Sequence, residues 1–410
     1  MILHKQLFAL SLILLSGAIF AQNNTNSPYT RYGYGQLADQ TLGKSKAMGG
    51  VAYGLRDRYQ INPSNPASYS AVDSLTFLYE GGITLQNTNF SDGTTKLNTK
   101  NSSFDYVVMQ FRLHQKLGMT IGLLPFSNVG YNFSKANTEN PNAINTITYS
   151  GEGGLHQFFA GLGFQVAKNL SIGTNISYFW GDITRNTVVI FSSNSSAYSY
   201  QETKAVSIKD LKFDLGLQYT YDLGEKNSLT AGLVFSPKRA LNNEAYEQTL
   251  TSTVTVKEIK TDFGIPLSWG LGLTYIYDTR LSVGLDYSLQ KWSKVSYMGD
   301  ANAFHDYSKT ALGVEYLPGY TGRNYFSYIK YRAGVYYSTP YYKIENVSAK
   351  EYGITGGIAL PLPRTRSILN ISAQYIKVEG QNANMLDENY LRLNVGITFN
   401  ERWFFKRQVD

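Results

Sequence analysis

Most of the chain after residue 74 alternates between apolar and polar positions with a period of two. In LSVGLDYS (281–288) every odd position is apolar and every even position is small or polar, and LRLNVGITF (391–399) repeats that pattern. In YIKYRAGVYY, which begins at Tyr328, the alternation assigns Lys330 and Arg332 to a wet face. Such alternation predicts β-strands with one apolar and one polar face.

The pattern predicts fourteen strands joined alternately by tight and by long links. The predicted strands are 74–88, 103–114, 117–133, 154–167, 169–190, 205–222, 228–239, 264–278, 280–297, 305–317, 327–341, 349–361, 366–378 and 389–400. HQKLG, VAKN, YDLGEKNS and YDTR are tight links, whereas 89–102, 134–153, 191–204 and 240–263 are long and polar. Short turns opposite longer loops are typical of an outer-membrane barrel, so we predict an all-β, antiparallel transmembrane β-barrel of about 14 strands. Periodicity alone also permits a soluble β-sandwich.

Composition supports a sheet with one wet face. The chain has 33 Tyr, 21 Phe and 37 Gly at a mean hydropathy of −0.25, and it has no Cys. Aromatic residues near strand ends, such as Tyr178, Trp180 and Trp292, fit the interfacial belts of a barrel, and some of them are expected to point into the lumen instead. The net charge of +7 comes from dispersed Lys and Arg, which indicates solvated surface rather than a nucleic-acid partner.

The first 21 residues have the organisation of a secretory signal peptide. Lys5 supplies the positive charge, Leu7 to Phe20 form an apolar run, and Ala21 is the expected cleavage point. A run of fourteen residues is short for a spanning helix, which needs about 20. Export together with a barrel pattern predicts the outer membrane of a Gram-negative bacterium, with both termini in the periplasm.

Residues 22–73 lack strand periodicity but contain too many apolar and aromatic residues for a free tail. Gly49 and Gly50 permit sharp backbone turns, and the segment ends in INPSNPASYS, whose Asn-Pro pairs disfavour helix and sheet. A barrel of fourteen strands is too wide for side chains alone to fill. We therefore predict a lumenal plug at 22–73, a barrel at 74–400 and a short periplasmic tail at 401–410.

Three stretches resemble a known family. They are AMGGVAYGLRD, then Asn65-Pro66-Ala67 just before the first strand, and GEGGLHQFFAGLGFQVAKNLSIGTNISYFWG from Gly151. Together they resemble the FadL long-chain fatty-acid transporter family, also called OMPP1/FadL/TodX. The resemblance implies fourteen strands and an N-terminal hatch, with Asn65, Pro66, Ala67, Gly49 and Gly50 as hatch or gating residues. Barrels of the PorV type, which serve protein export, share this architecture.

Pro125 lies inside the third predicted strand. Proline cannot donate a ladder hydrogen bond, so the strand must bend or bulge there. A kink in the third strand opens the barrel wall in the FadL family, and the resemblance implies a lateral opening near Pro125. An ordinary bulge is the alternative interpretation.

The sequence offers little for other chemistry. GEGGLHQ lacks the Lys-Ser/Thr ending of a phosphate-binding loop. Beyond the signal peptide the histidines are His114, His156 and His305, which are far apart and lack metal-ligand spacing. We expect His156 to lie at an interface, and we predict no catalytic residue, metal or cofactor.

Two functions fit the predicted barrel. The first is diffusive uptake of a hydrophobic small molecule, of fatty-acid or aromatic type, through a gated hatch and a lateral exit. The second is a non-transporting partner barrel in a protein secretion or assembly machine, whose long loops, especially 191–204 and 240–263, bind proteins. Membrane lipid and lipopolysaccharide are expected contacts in both cases.

Overall fold

A computed structural model describes residues 24–138, 144–192, 197–260, 263–319, 324–363, 365–382 and 385–402. The predicted signal peptide and nearly all of the predicted tail lie outside the described residues. None of the helices in these ranges combines the length and apolar character that a membrane-crossing helix needs.

Fourteen long antiparallel strands close into one barrel. They are β2 (Thr76–Ser91), β3 (Lys96–His114), β4 (Leu117–Asn137), β5 (Asn145–Gln165), β6 (Leu170–Phe191), β7 (Tyr200–Asp222), β8 (Asn227–Ser236), β13 (Ser268–Tyr277), β14 (Leu281–Gln290), β15 (Tyr307–Tyr316), β16 (Lys330–Thr339), β17 (Lys350–Pro361), β18 (Ile368–Glu379) and β19 (Asp387–Arg402). Each strand pairs with the next, and β19 pairs with β2 to close the wall. The predicted number of strands and their antiparallel order are confirmed.

The apolar face of each strand points out of the barrel and the polar face points in. On β14, Leu285 is 50% exposed and Asp286 only 4% exposed. On β16, Tyr331 is 40% exposed whereas Arg332, which the alternation assigned to the wet face, is 5% exposed. A soluble sandwich would bury the apolar set, so this inversion identifies a transmembrane barrel.

The two ends of the barrel differ, and we call them the turn end and the loop end. The turn end carries short links such as Gln115–Lys116, and the loop end carries the connections after β2, β4, β6 and β8. Two of the predicted long loops, 89–102 and 134–153, are instead mostly strand, whereas in 191–204 strand β6 ends at Phe191 and β7 begins at Tyr200. At the loop end β5, β6 and β7 continue beyond the rest of the wall. Their backbones still pair there, although the side chains on both faces are exposed to water.

The described part of the predicted loop 240–263 also contains strands. It contains β9 (Arg239–Leu241), β10 (Asn243–Leu250), β11 (Val254–Glu258) and the start of β12 (Phe263–Ile265). β10 pairs with β7 and with β11, so this hairpin widens the sheet at the loop end. The prediction of a long polar loop failed because β10 and β11 are mostly exposed, and the buried Leu241, Phe263 and Ile265 lie in strands of three residues, too short to show a period.

The N-terminal segment, residues 24–75, contacts inward-facing positions of the strands. Its regular elements are short: a 3₁₀ turn (Pro28–Arg31), β1 (Gln36–Leu37), α1 (Gly43–Lys46) and a second 3₁₀ turn (Pro66–Ala71). β1 pairs with β4, and the second 3₁₀ turn packs against β4, β5, β6 and β7. These contacts are consistent with the predicted plug.

Candidate functional site

The N-terminal segment runs around the inside of the wall. From α1 onward its contacts pass in order from β17 through β16, β15, β14, β13, β8, β7, β6 and β5 to β4. Ala47 lies against β17, Met48 against β15 and β16, Val51 against β14, and Tyr53 against β8 and β13. Pro66 then lies against β5 and β6 before the chain enters β2. The segment thus makes most of a turn around the lumen before it becomes the first barrel strand.

Each of these ten strands presents an inward glycine to the N-terminal segment. The glycines are Gly118, Gly163, Gly173, Gly216, Gly232, Gly272, Gly284, Gly313, Gly334 and Gly357, and we call this set the glycine girdle. Several pair directly across the ladders, for example Gly163 with Gly173 and Gly313 with Gly334. A Cβ at any of the ten would lie within 3.0 Å of an atom of the N-terminal segment.

The girdle brings backbone against backbone. A Cβ at Gly163 would lie 2.5 Å from Pro66 O, and one at Gly272 would lie 2.8 Å from Gly54 N. Glycine is the residue that permits a second chain to approach a strand this closely. The wall therefore has a fitted groove for the segment, and at most of the ten glycines no side chain separates the two backbones.

Charged side chains fix the segment to the wall. Lys44 Nζ contacts Glu315 Oε1 at 2.9 Å and Asp57 Oδ2 at 3.1 Å, while Arg332 Nε contacts Glu315 Oε2 at 2.7 Å. Burial lowers the pKa of Lys44, but Glu315 and Asp57 outweigh it, so that pKa is raised. Burial conversely raises the pKa of Asp57, and Lys44 and Lys330 more than offset it, so the net pKa is lowered. Lys44 and Asp57 are thereby held charged, and withdrawing one partner would leave a buried charge unpaired, which typically costs about 3–5 kcal/mol.

A wall carboxylate also binds the backbone of the segment. Asp286 Oδ2 accepts hydrogen bonds from Ala52 N at 2.6 Å and Tyr53 N at 2.8 Å. Lys46 Nζ forms a further ion pair with Asp105 Oδ2 at 2.5 Å. Opening of the lumen would have to break these contacts together with those of the girdle.

Asn65, Pro66 and Ala67 form the start of the second 3₁₀ turn and join it to the wall. Asn65 Oδ1 accepts a hydrogen bond from Ala67 N at 3.1 Å, which caps the second 3₁₀ turn. Asn65 Nδ2 donates to Tyr53 O at 2.8 Å and to Leu217 O on β7 at 3.3 Å. The motif therefore joins two parts of the N-terminal segment to the wall.

Gly49 and Gly50 lie on a different side of the lumen. Their φ angles are +69° and +90°, a region that favours glycine. Gly49 N donates to Thr355 Oγ1 on β17 at 2.8 Å. The structure thus does not bring these two glycines together with Asn65, Pro66 and Ala67 in one site.

Pro125 lies at an interruption of the wall. The β4–β5 register shifts between Pro125 and Ser127, and the β3–β4 ladder ends at the pair Val107 and Leu123. Beyond this point β4 pairs instead with β1, where Leu37 lies opposite Ser127. We call this gap between β3 and β4 the seam.

The N-terminal segment lies across the seam. Ala38 N donates to Phe126 O at 2.9 Å, and Gln40 Nε2 donates to Pro125 O at 2.9 Å. A cavity of about 70 Å³ remains here, and its lining includes Asp39, Lys46 and Asp105. Burial raises the pKa of Asp39, but Lys309 and Lys46 outweigh it and lower that pKa. The seam is therefore lined by charged groups.

A second cavity of about 200 Å³ lies between the N-terminal segment and the loop end. Tyrosines and charged side chains share its wall, including Tyr307, Lys309, Tyr336, Glu351 and Arg392. Lys309 Nζ stands 4.2 Å from the ring centroid of Tyr336. Burying isolated charges against hydrocarbon is unfavourable, so this lining suits water or a polar group better than an apolar ligand.

Packed aromatic rings close the loop end. Tyr34, Trp292, Tyr297, Phe304 and Tyr341 form this aromatic lid, with ring centroids 4.6 Å apart for Trp292 and Tyr341 and 5.1 Å for Tyr34 and Tyr297. All five are less than 8% exposed. The expectation that Trp292 belongs to an interfacial belt is therefore wrong, because a 3₁₀ turn (Trp292–Lys294) after β14 directs it into the lumen.

The other aromatic and histidine predictions concern the outer face. Tyr178 is 46% exposed and stacks on Trp180, whose ring is 6.0 Å from that of His156. This grouping on the lipid-facing phase agrees with an interfacial position for His156. Among the described residues no group of three or more His, Asp or Glu side chains is arranged to hold a metal ion.

The sequence did not reveal the residues that fix the segment. Lys44, Asp57, Asp286 and Glu315 lie in stretches that form no recognisable motif. The girdle did leave a signal, because successive strands carry glycine at polar positions of the alternation, as Gly284 does. That signal indicates close approach of another chain without identifying which one.

Comparison with known proteins gives one family match and several similar folds. The family described as BamG matches residues 1–410. No curated protein matches the chain.

The similar solved structures are remote in sequence. A Pseudomonas aeruginosa FadL homologue is 12% identical with a TM-score of 0.61, covering 89% of this chain and 99% of its own. The CymD monoaromatic hydrocarbon channel is 13% identical with a TM-score of 0.57, covering 90% and 99%. The P. putida toluene transporter TodX is 15% identical with a TM-score of 0.56, covering 88% and 98%. The resemblance to FadL and TodX in fold is thereby confirmed.

Proposed function

The chain belongs to the BamG family, and we propose that it is a sealed outer-membrane barrel that serves as a partner subunit in a protein assembly or secretion machine. The observation that carries the proposal is the fit of the N-terminal segment in the glycine girdle. A hatch that opens needs a weak or adaptable interface. In this one, seven of the ten girdle glycines lie against backbone atoms of the segment, and the other three, Gly216, Gly284 and Gly357, lie against its side chains.

The energetics support a fixed segment. Release would separate Lys44 from Glu315 and would remove both backbone donors from Asp286. Each buried charge left unpaired costs several kcal/mol, and these costs are incurred at the same time. Without a nucleotide site or other energy source in the sequence, spontaneous release is rare.

The lumen is also poorly suited to an apolar passenger. The two cavities near β1 expose Asp39, Lys46, Lys309 and Arg392 to any molecule inside them. A hydrocarbon there would displace water from these charges without replacing its hydrogen bonds. A barrel sealed at both ends acts through its outer surfaces, which favours a role in binding other proteins.

Hydrophobic uptake is the second candidate, and the seam favours it. The solved structures similar in fold include a monoaromatic hydrocarbon channel and a toluene transporter. In this alternative Asn65, Pro66, Ala67, Gly49 and Gly50 gate the lumen. A fatty or aromatic ligand leaves beside Pro125, avoiding about 0.8 kcal/mol per CH₂ of exposure to water.

In both cases we propose the same placement. The turn end and both termini face the periplasm, and the loop end faces outward, as short turns and longer loops do in outer-membrane barrels. Lipid and lipopolysaccharide contact the exposed apolar face.

A disulfide lock distinguishes the two functions. The chain has no cysteine, so Leu37→Cys with Ser127→Cys introduces one defined pair, at positions directly opposite each other on β1 and β4. Opposed residues have Cβ atoms about 4.5–5.5 Å apart, close enough for a disulfide after a small adjustment. Ser308→Cys with Thr339→Cys locks two wall strands and is the matched control.

Each cysteine pair is tested in its oxidised and its reduced state, in cells from which the gene for the wild-type chain has been deleted. Two readouts are compared. They are accumulation of radiolabelled toluene and oleate, and recovery of outer-membrane proteins with the tagged chain. We expect recovery within twofold in all states and uptake equal to that of the deletion. Uptake that depends on the chain, and that only the Leu37–Ser127 lock abolishes, would overturn the partner role in favour of transport.

A further inference from the structure

We propose that the outer edge of β11 is the docking strand for a neighbouring outer-membrane β-barrel protein, which adds an extended segment to it. The inference rests on the proposed partner role and specifies its surface. It starts from the sheet that projects past the barrel at the loop end. There β5, β6 and β7 continue outward, β10 pairs with β7, and β11 pairs with β10.

β11 ends this sheet with an uncovered edge. Its ladder to β10 runs over five residue pairs, from Leu250 with Val254 to Tyr246 with Glu258. All five of its residues are exposed. Within the described residues no paired strand is recorded on its other side, so a row of backbone N–H and C=O groups faces solvent.

The composition of β11 favours pairing. Val254, Thr255 and Val256 are β-branched residues that fit a pleated strand, and proline and glycine are absent from it. Natural proteins usually blunt an open edge with charges, proline or a bulge. Here the first three residues carry no such protection.

One face of the hairpin is mostly apolar and exposed, and it also carries Gln248 and Glu258. Tyr246, Leu250, Val254 and Val256 share this face and are 44%, 42%, 57% and 62% exposed. The opposite face carries polar pairs such as Thr249 with Thr255. A pairing strand would gain ladder hydrogen bonds from the edge and cross-strand apolar contacts from this face.

The direction of the apolar face identifies the partner class. Tyr246 lies opposite Ala205 on β7, and Ala205 shares the outward phase of Leu211, Leu215 and Leu217, which are 40%, 51% and 37% exposed. The apolar face thus continues the lipid-facing side of the wall beyond the membrane. A second barrel embedded alongside would stand directly in front of it, with its own loops at the same height.

The first test is crosslinking in living cells. A photoreactive benzoylphenylalanine is placed at Val256 and, as the control, at Leu97, which is also 62% exposed near the loop end on β3. We expect an adduct with an integral outer-membrane barrel protein, identified by mass spectrometry, at least tenfold stronger from position 256. Equal adducts from both positions, an adduct only with lipopolysaccharide, or no adduct at 256 would overturn the inference.

The second test uses charge on the two faces of the same strand. Val254→Lys with Val256→Lys puts two cations on the apolar face, whereas Thr255→Lys puts one on the opposite face. We expect the double variant to reduce recovery of the partner barrel at least tenfold and Thr255→Lys to change it less than twofold. All three substituted positions lie outside the barrel wall. An unchanged heat-dependent shift in gel mobility checks that the barrel of each variant is folded.

The outcomes separate this inference from the proposed function. If the chain binds an outer-membrane protein but neither the crosslink nor the lysine pair involves β11, the docking strand is elsewhere and the partner role stands. If the intact chain binds no outer-membrane protein, the partner role itself is wrong.

Discussion

The two ends of the lumen are packed in opposite ways. At the turn end the glycine girdle places wall backbone directly against the N-terminal segment, mostly against its backbone, and at the loop end the aromatic lid packs ring against ring. The lid stabilises by burying large apolar surface, so its contribution falls when a ring is removed. The girdle works because glycine has no side chain, which lets the segment lie directly on the wall. Adding a single carbon atom at one of these positions therefore destroys the fit.

We therefore expect substitutions in the lid to lower mainly the stability, and substitutions in the girdle to change mainly the position of the N-terminal segment. Removing a lid residue leaves a cavity but keeps the N-terminal segment held by the girdle and its ion pairs. Adding a methyl group to the girdle buries no less surface, yet it moves the segment away from the wall. Three substitutions test this distinction.

The largest loss of stability is expected from the lid. Trp292 is fully buried and its ring contacts those of Tyr34, Phe304 and Tyr341. We expect Trp292→Ala to lower the free energy of unfolding in detergent micelles by about 3–5 kcal/mol, as truncation of buried aromatic residues does. Urea titration followed by fluorescence measures this, and trypsin should still spare Lys44 and Arg56 in the N-terminal segment. Cleavage there would show that the lid also holds the segment.

A substitution in the girdle is expected to lower stability less than one in the lid, but to move the N-terminal segment further from the wall. A Cβ at Gly232 would clash with Tyr53 O, whereas one at Gly356, which faces outward, would have Arg332 O as its nearest neighbour at 3.8 Å. We expect Gly232→Ala to cost about 1–3 kcal/mol, the usual range for overpacking, and to expose Arg56 to trypsin. Gly356→Ala is the matched control and should leave both stability and cleavage unchanged. Equal behaviour of the two variants would contradict the role of the girdle.

The smallest effect is expected at the seam. The contact of Pro125 with the segment is made by its backbone carbonyl, which accepts from Gln40 Nε2, and alanine keeps that carbonyl. The bend is shared with Gly153 and Gly154, whose φ angles are +111° and +148°. We expect Pro125→Ala to change the unfolding free energy by less than about 0.5 kcal/mol. A change above about 2 kcal/mol, measured by the same urea titration, would show that the proline ring itself shapes the seam.

Several features of the fold could be predicted because they repeat along the chain. The alternation in 281–288 predicted the strand and the two faces of β14, and the inward face proved to be the polar one. The loop-end strands were missed because both of their faces are wet, as in β11, so no apolar stripe marks them. Trp292 was misplaced because one turn of chain after β14 decides whether a residue points to lipid or to the lumen.

The candidate site could be predicted only in outline. Asn65 and Pro66 were recognised as a corner, and Pro125 as a bend, because proline and the residue before it restrict the backbone locally. The contacts of Lys44 with Glu315 join positions 271 residues apart, and no local pattern predicts such a pair.

By itself, the sequence determined the barrel, its strand number, the inward polar face and the presence of a segment that is not a strand. These follow from the period of two and from the proline and glycine positions, which act over a few residues. Only the tertiary structure decided that the ten girdle glycines line most of one turn of the wall, that the segment lies against them, and that the edge of β11 is open. Those facts depend on closure of the wall, which brings distant strands to the same height and so determines what each glycine faces.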